Sequence, residues 1–138
     1  IEVRPYKIHK RVLDKYVHGR VVFAGDAAHL NSPSGGMGMN GGIHDGWCLS
    51  KRLNDIFLGG FPLTRLSLYS DQRQKIAENE ILKNAHKNRS RMQERNKNFR
   101  EAELARLKKT ASDPKSAREF LMKSSMIKGL REAEGYTH

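Results

Sequence analysis

The first pattern along the chain is an alternation of apolar and polar positions over residues 6–12, where Tyr6, Ile8 and Val12 are separated by polar side chains. This period of two predicts a half-buried β-strand, because successive side chains of a strand point to opposite faces. Residues 13–19 keep no such period and are predicted to be a connector that ends on a glycine.

A second apolar segment, residues 20–24 (RVVFA), is bounded by Gly19 and Gly25. A short continuous apolar run between glycines is typical of a strand that is buried on both faces inside a parallel sheet. Two short strands do not form a stable sheet by themselves, and no further segment of the chain is strand-like. The pattern therefore predicts that the sheet partners of residues 20–24 lie outside these 138 residues.

From residue 40 onward the apolar positions follow a helical period instead. A first helix is predicted over residues 40–53, with an apolar stripe made of Ile43, Trp47, Leu49 or Ser50, and Leu53. A turn at Gly59–Gly60 precedes a second helix, which is predicted to begin at Pro62 because proline is favoured in the first helical turn. The stripe of this second helix contains Leu63, Leu66, Tyr69 and Ile76.

The rest of the chain is predicted to be helical and largely polar. Between His86 and Asn98 the only apolar residue is Met92. A helix that is polar all round usually projects into solvent or rests on another subunit. The polar span 83–98 is therefore predicted to lie outside any core, and a homodimer interface is one use of it that the sequence leaves open.

Local capping signals predict the boundaries of the last two helices. Asp113 is expected to be an N-cap and Pro114 the first helical residue of the helix that follows. Ser124–Ser125 are expected to cap a final helix, which ends at Gly135.

The stretch GRVVFAGDAAHLNSPSGGMGMNGGIHDG, residues 19–46, is unusually rich in glycine after position 34. Such a loop between a strand and a helix is how α/β folds hold a phosphate-bearing or flat cofactor against the main chain and the helix N-terminus. Asp26 would accept a hydrogen bond from a sugar or polyol hydroxyl, although a helix cap or turn role is the alternative for an isolated Gly-Asp. His29 and His44 are expected to be structural or surface residues, and no metal-ligand spacing is present.

Taken whole, this stretch resembles the second FAD-binding motif of the single-component flavoprotein monooxygenases, the aromatic hydroxylases similar to p-hydroxybenzoate hydroxylase and the ubiquinone-pathway hydroxylases. The matching residues run from Gly19 to His29, from Pro33 to Asn40 and from Gly42 to Asp45. Leu66–Tyr69 with Gln72–Arg73 also looks like the Tyr- and Arg-bearing helix that follows the motif in this family.

The resemblance implies an FAD site with NAD(P)H as co-substrate, O₂ as oxidant and a small aromatic substrate. Asp26 would bind a ribityl hydroxyl, Pro33 would lie beside the isoalloxazine ring, and main-chain N–H groups would face its N1–C2=O edge. The implied cofactor-binding residues are Gly25, Asp26, Pro33, Gly36, Gly38, Met39 and Asn40. No residue of the chain is assigned as catalytic acid, base or metal ligand.

The implied fold is α/β: the C-terminal fragment of an FAD-binding, Rossmann-like fold that is mostly helical after residue 40. Residues 1–62 would complete the FAD-binding domain, and residues 63–138 would form a C-terminal helical region. The family's N-terminal GxGxxG motif is absent, and the chain opens on Ile1 rather than Met. We therefore expect a piece of a longer monooxygenase that is inactive alone and whose partner is its remaining N-terminal part.

Composition adds an alternative. The formal net charge is +11, and residues 83–109 carry ten Lys/Arg against three Asp/Glu, which is also compatible with a non-enzymatic basic module that binds nucleic acid or an acidic partner. Phe99 is the only aromatic residue there, and the cations ring the helix rather than line one face, which disfavours nucleic acid. The single cysteine, Cys48, predicts a buried, inert thiol and suits the cytoplasm, and no apolar run is long enough to span a membrane.

Overall fold

The computed structural model describes residues 9–33 and 36–135, which form four very short strands and then six α-helices. The strands are β1 (Arg11–Val12), β2 (Val17–His18), β3 (Val21–Val22) and β4 (His29–Leu30). The helices are α1 (Gly38–Phe57), α2 (Arg65–Ile76), α3 (Lys83–Gln93), α4 (Lys97–Ser112), α5 (Pro114–Ser124) and α6 (Ile127–Glu134). A π-helical segment, Ala77–Leu82, joins α2 to α3. The prediction that the chain is mostly helical after residue 40 is confirmed.

The strands form two separate antiparallel pairs. Strand β1 pairs with β4, and β2 pairs with β3 in a hairpin whose register places Val17 opposite Val22. Gly19, with φ of +61°, is the first of the two residues that connect β2 to β3, a position that favours a left-handed residue in hairpins of this length. The predicted connector 13–19 therefore contains a strand.

The prediction of a strand buried on both faces at residues 20–24 is wrong for the described part of the chain. Only Val21–Val22 are extended and paired, their partner is antiparallel, and the Val21 side chain is 57% exposed. A four-residue apolar run carries no information on strand direction. The partner strand, β2, lies in the segment 13–19 that was predicted to be a connector. Of the predicted strand 6–12, residues 6–8 lie outside the described residues, and Arg11–Val12 are extended.

Helix α1 is longer than predicted and turns a different side inward. It begins at Gly38 and ends at Phe57, whereas the apolar pattern predicted residues 40–53. Its buried residues are Gly41, Asp45 and Cys48, which recur at helical spacing. The predicted core residues Ile43 and Trp47 are instead 60% and 57% exposed.

Helix α2 begins at Arg65, three residues after the predicted start. The carbonyl of Pro62 accepts a bond from Arg65 N at 2.9 Å, so the proline opens a turn that leads into the helix. The predicted stripe residues Leu66, Tyr69 and Ile76 are buried, but Leu63 precedes the helix and is exposed.

The boundaries of the later helices follow their caps. Between α3 and α4 the polar span breaks, and the Asn96 side chain accepts a bond from Phe99 N as N-cap of α4. Asp113 caps α5 through Ser116 N, with Pro114 as first helical residue, as predicted. The residue before α6 is Met126 in a left-handed conformation, not the predicted serine pair, and α6 does end before Gly135.

The core lies where the strands, α1, α2 and the chain before α6 meet. Its buried apolar cluster is Tyr16, Ala28, Met37, Cys48, Tyr69, Ala77 and Met126. Cys48 is buried as predicted; burial raises the pKa of its thiol, which donates to Gln72 Oε1 at 3.2 Å. Among the described residues, no helix is both long enough and apolar enough to cross a membrane.

Candidate functional site

The chain leaves β3 through a tight 3-10 turn, Gly25–Ala27, that packs against α1. Gly25 has φ of +58°, a left-handed conformation that glycine adopts without steric cost. Its Cα also lies close to Gly42 of α1: a Cβ on Gly42 would stand 3.4 Å from it. Two glycines of the glycine-rich motif, Gly25 and Gly42, are therefore explained by packing of the turn on α1.

Asp45 is the polar centre of this region and is completely buried. Its Oδ2 accepts hydrogen bonds from Gly25 N at 2.8 Å and from His29 Nε2 at 2.7 Å. Its Oδ1 accepts a bond from Arg73 Nε at 2.6 Å, and Arg73 Nη2 also reaches the carbonyl of Gly41 at 3.4 Å. One carboxylate thus joins the turn after β3 to β4, α1 and α2.

The electrostatics of this cluster favour an ionised Asp45. Burial alone would raise its pKa, but the hydrogen bond from His29, the charge of Arg73 and the bond from Gly25 N together hold that pKa below its usual range. An ionised carboxylate only accepts, so the proton in the bond to His29 belongs to Nε2 of the imidazole. The other ring nitrogen, Nδ1, is buried without a partner among the described residues.

Two tyrosines fasten the end of β3 to α2. The Tyr69 hydroxyl donates to the carbonyl of Phe23 at 2.8 Å, and Phe23 N donates to the carbonyl of Tyr16 at 2.8 Å. The Tyr16 ring stacks on His29 with 6.1 Å between ring centroids. Burial raises the pKa of both phenols well above the ordinary value, so they act as neutral structural groups.

Helix α1 starts without a side-chain cap, because Met37 stands at the N-cap position. The first helical bond runs from Gly41 N to the Met37 carbonyl, so the N–H groups of residues 38–40 have no acceptor within the helix. A β-carbon added at Gly36 or Gly38 would meet no described atom within 4 Å. Unlike Gly25 and Gly42, these two glycines are not explained by contacts within the described chain.

The predicted site residues lie on the part of the chain that runs from the turn after β3 to the first turn of α1. Asp26 and Pro33 are exposed, and the Met39 side chain is 77% exposed. Gly25, Gly38 and Asn40 are half-buried, and Gly36 is exposed with φ of +62°. Asn40 is the third residue of α1, which corrects the prediction that the helix begins at residue 40.

Replacing Gly25 by alanine should destabilise the turn by about 1–2 kcal/mol, because an L side chain at a left-handed φ is strained. Equilibrium unfolding in urea would measure the loss. Gly25→Asn is the matched variant, since asparagine tolerates this conformation better than alanine does. An alanine variant as stable as the wild type would show that the turn can relax to a negative φ.

The comparisons with known proteins bear on this arrangement. The sequence profile of the family described as FAD binding domain matches residues 1–85, more than half of the chain. The chain belongs to the FAD binding domain family. The resemblance drawn from the glycine-rich motif is thereby confirmed at the level of family, and the turn, the α1 start and the Asp45 cluster all lie within the matched residues.

Individual relatives are monooxygenases by name. The chain is 33% identical to a para-nitrophenol 4-monooxygenase of a Pseudomonas species over 132 residues, 96% of this chain and 33% of that protein. It is 40% identical over 75 residues to a 6-hydroxy-3-succinoylpyridine 3-monooxygenase of Pseudomonas putida, covering 54% of this chain and 19% of that protein. This FAD binding domain thus spans a third or less of the length of these relatives.

A solved structure agrees with the fold. The crystal structure of a p-nitrophenol 4-monooxygenase from Pseudomonas putida matches 92% of this chain with a TM-score of 0.80 and 31% sequence identity, over 32% of that protein's chain. The predicted fold class, part of an FAD-binding fold with a helical C-terminal region, is therefore confirmed.

The observed arrangement fits FAD on grounds internal to the structure. Gly36 and Gly38 leave open space beside three main-chain donors, and an exposed carboxylate, Asp26, lies at the end of the strand. Donors at a helix start suit a carbonyl or anionic edge, and a carboxylate suits a hydroxyl. No acidic residue occupies the first turn of α1, so nothing there opposes an anion.

Sequence reasoning missed the role of Asp45. The residue was quoted as part of the motif, and Arg73 as part of the following helix, but no contact between them was predicted. A signal was present: Asp45 is a charged residue at helical spacing from Gly41 and Cys48, both small and weakly polar. A lone carboxylate on the buried face of a helix needs a cation or several donors, and the Arg-bearing helix supplies one.

Proposed function

We propose that this chain is the flavin-facing part of an FAD-dependent monooxygenase that uses NAD(P)H and O₂ to hydroxylate a small aromatic compound. The observation that carries the proposal is the open, uncapped start of α1 beside Gly36 and Gly38, within a chain of the FAD binding domain family. The named relatives act on phenols and a hydroxypyridine by their names, which supports an aromatic substrate.

The residues that would hold the cofactor lie between the turn after β3 and the first turn of α1, from Gly25 to Asn40. Asp26 would accept a bond from a ribityl hydroxyl, with Gly25 leaving room for it, and Pro33 would lie beside the ring system. The N–H groups of Gly38, Met39 and Asn40 would face the N1–C2=O edge. Donors fixed in place before charge develops stabilise that charge without reorganisation, and a helix start contributes about 0.3–2 kcal/mol to an anion there.

FAD, when bound, supplies electron transfer from the reduced nicotinamide and the activation of oxygen. The contribution of this chain is to bind and orient. The Asp45 cluster fixes the Gly25 N–H and hence the turn that carries Asp26, while Tyr69 fixes the end of β3. Because Asp45 and Arg73 are fully buried and bonded to each other, we expect this support to be rigid.

The partner of this segment is the remaining part of the same monooxygenase. Met39, Ile43 and Trp47 recur every four residues on one face of α1 and are each more than half exposed. Three large apolar side chains in a row on a helix are typical of a face that is covered by other protein. The relatives are about three times as long as this chain, so a covering segment of the same polypeptide accounts for the face without a second protein.

Two further points follow from the proposal. Residues 1–62 would complete the FAD-binding domain, with residues 63–138 as a helical extension. The enzyme would work in the cytoplasm, where a lone thiol such as Cys48 stays reduced. A nucleic-acid-binding module is disfavoured, because the family match covers most of the chain ahead of the basic helices.

Asp26→Ala in the complete flavoprotein should weaken FAD binding about tenfold to a hundredfold, the value of a hydrogen bond to a charged group. The Asp26 side chain is exposed and has no hydrogen bond or ion pair with a described residue, so the fold should stay intact. Retention of FAD after gel filtration, read from visible flavin absorbance, is the measurement. Asp26→Asn keeps an acceptor and should lose less. Unchanged occupancy in the alanine variant would remove Asp26 from the site.

The activity itself is tested by oxygen consumption with NADH or NADPH in the presence of candidate phenols, beginning with p-nitrophenol. Substrate-stimulated oxygen uptake with a hydroxylated product supports the proposal. A flavin-free complete protein, or one that oxidises the reduced nicotinamide without hydroxylating any phenol tested, contradicts it.

A further inference from the structure

A cavity of about 340 Å³ lies beside the start of α1 and is walled by the basic helices. Helix α3 contributes Lys87 and Arg91, α4 contributes Arg106, and α5 contributes Lys123. Met37, the residue that precedes α1, closes one side. The cavity therefore lies between the segment proposed to bind FAD and the basic helices α3, α4 and α5. The proposed monooxygenase function assigns no role to these basic helices.

The charge of this cavity is positive and largely uncompensated. Lys87 and Arg91 are one helical turn apart, so they project from the same face of α3. Neither they nor Lys123 has an ion-pair partner among the described residues. Arg106 is held by Glu103 through two hydrogen bonds of 3.0 Å, and no carboxylate is among the residues that line the cavity in the described part of the chain.

The pKa of Glu103 also reflects the charges of these cations. Its pKa is lowered mainly by the hydrogen bond from Arg106, and the charges of Lys87 and Arg91 lower it further. Charges on α3 thus act at a residue on α4, as expected when they face a common space. One carboxylate against four cations leaves an excess of three positive charges around the cavity.

The remaining wall is apolar and aromatic. Phe120 of α5, which is 45% exposed, and Met37 also line the cavity. A ring and a thioether suit a flat organic group, whereas three free cations suit a multiply charged one. A monoanionic phenol would use only one of those cations, so its charge fits the cavity less well than that of a multiply charged ligand. The cavity volume of about 340 Å³ is at the small end of the range for ligand sites.

We propose that this cavity binds the phosphate of a nucleotide-sized ligand, with Lys87, Arg91 and Lys123 on the phosphate and Phe120 against the base. If the proposed function holds, on which this identification rests, the ligand is the phosphorylated adenosine half of the reduced nicotinamide dinucleotide. Free inorganic phosphate offers the same charge without the ring, and the test separates the two sources.

The experiment measures binding of adenosine diphosphate and of inorganic phosphate to the complete FAD-loaded protein by calorimetry. Arg91→Gln and Lys123→Gln, on different helices, should each raise the Kd of adenosine diphosphate about tenfold, as expected for a lost charged hydrogen bond. Arg89→Gln is the matched control, because Arg89 lies on the same helix but does not line the cavity. The KM for NADH or NADPH should rise in parallel, with kcat unchanged.

The outcomes are distinguishable. If Arg91→Gln and Lys123→Gln bind adenosine diphosphate as tightly as the wild type, the proposed site is overturned. It is also overturned if Arg89→Gln weakens binding as much as they do, because that would indicate a diffuse charge effect. A response of inorganic phosphate alone overturns the dinucleotide assignment and identifies a free-phosphate site. A complete protein without visible flavin absorbance would refute the proposed function, while the calorimetric comparison would still decide the cavity.

Discussion

Replacing Asp45 by asparagine should destabilise the folded protein by about 3–5 kcal/mol, the typical loss when one partner of a buried ion pair is removed. The change is nearly isosteric, so packing is kept while Arg73 is left as a buried, uncompensated cation. The amide also offers one acceptor where the carboxylate offered two oxygens to Gly25, His29 and Arg73. Urea unfolding followed by circular dichroism measures the loss.

Asp55→Asn is the matched control. Asp55 lies on the same helix and pairs with Arg52 and Arg65 at 2.9 and 3.4 Å, but its side chain is part-exposed. Surface pairs contribute about 0–1 kcal/mol, so this variant should lose little. Equal losses in the two variants would mean that the buried cluster contributes no more than an ordinary surface pair.

The same substitution should change the response to acid. The folded-state pKa of Asp45 lies below its value in the unfolded chain, which is about 4. The contribution of the carboxylate to stability is therefore complete above about pH 4 and is lost as the pH falls through the folded-state pKa. Unfolding curves of the Asp45→Asn variant should accordingly depend less on pH in the range below about pH 4 than those of the wild type.

Gly38→Val should strongly weaken FAD binding without unfolding the protein. An added Cβ at Gly38 meets no described atom within 4 Å, and the residue is helical, so the described chain accommodates the side chain. If the ring edge of FAD approaches the main chain here, a valine stands between them, and we expect flavin occupancy to fall at least about tenfold. Visible flavin absorbance per protein and the thermal unfolding midpoint of the flavin-free form are measured together.

Gly46→Val is the control for this variant, since a Cβ at Gly46 of the same helix also meets nothing within 4 Å. It places the same side chain on the same helix, two turns from the helix start. Full flavin content in Gly38→Val would remove the α1 start from the cofactor site. Equal flavin loss in both variants would point to a general effect on α1.

The sequence predicted the elements whose signals are local. Asp113–Pro114 specify the start of α5 because the capping side chain and the fixed proline φ act within one turn. The family also followed from local spacing in the glycine-rich motif. The start of α2 was predicted three residues early, because a proline favours a turn and a first helical residue alike.

The errors came from pairings between distant segments. The partner of β3 lies across a two-residue turn in a stretch without apolar period, and its direction cannot be derived from composition. The stripe of Ile43 and Trp47, predicted to be core, is exposed in the structure; under the proposed function it is covered by another part of the monooxygenase. Asp45 escaped notice because its partners His29 and Arg73 are 16 and 28 residues away, and only folding brings them together.

The junction at Asp45 has a consequence for how changes in this protein combine. Gly25, His29 and Arg73 are 20, 16 and 28 residues from Asp45, yet each donates to its carboxylate. Substitutions at such positions do not add, because the first one already removes what the second would have removed. The three sites should therefore behave in mutational scans as one unit, in which a double variant at His29 and Arg73 is less damaged than the sum of its single variants.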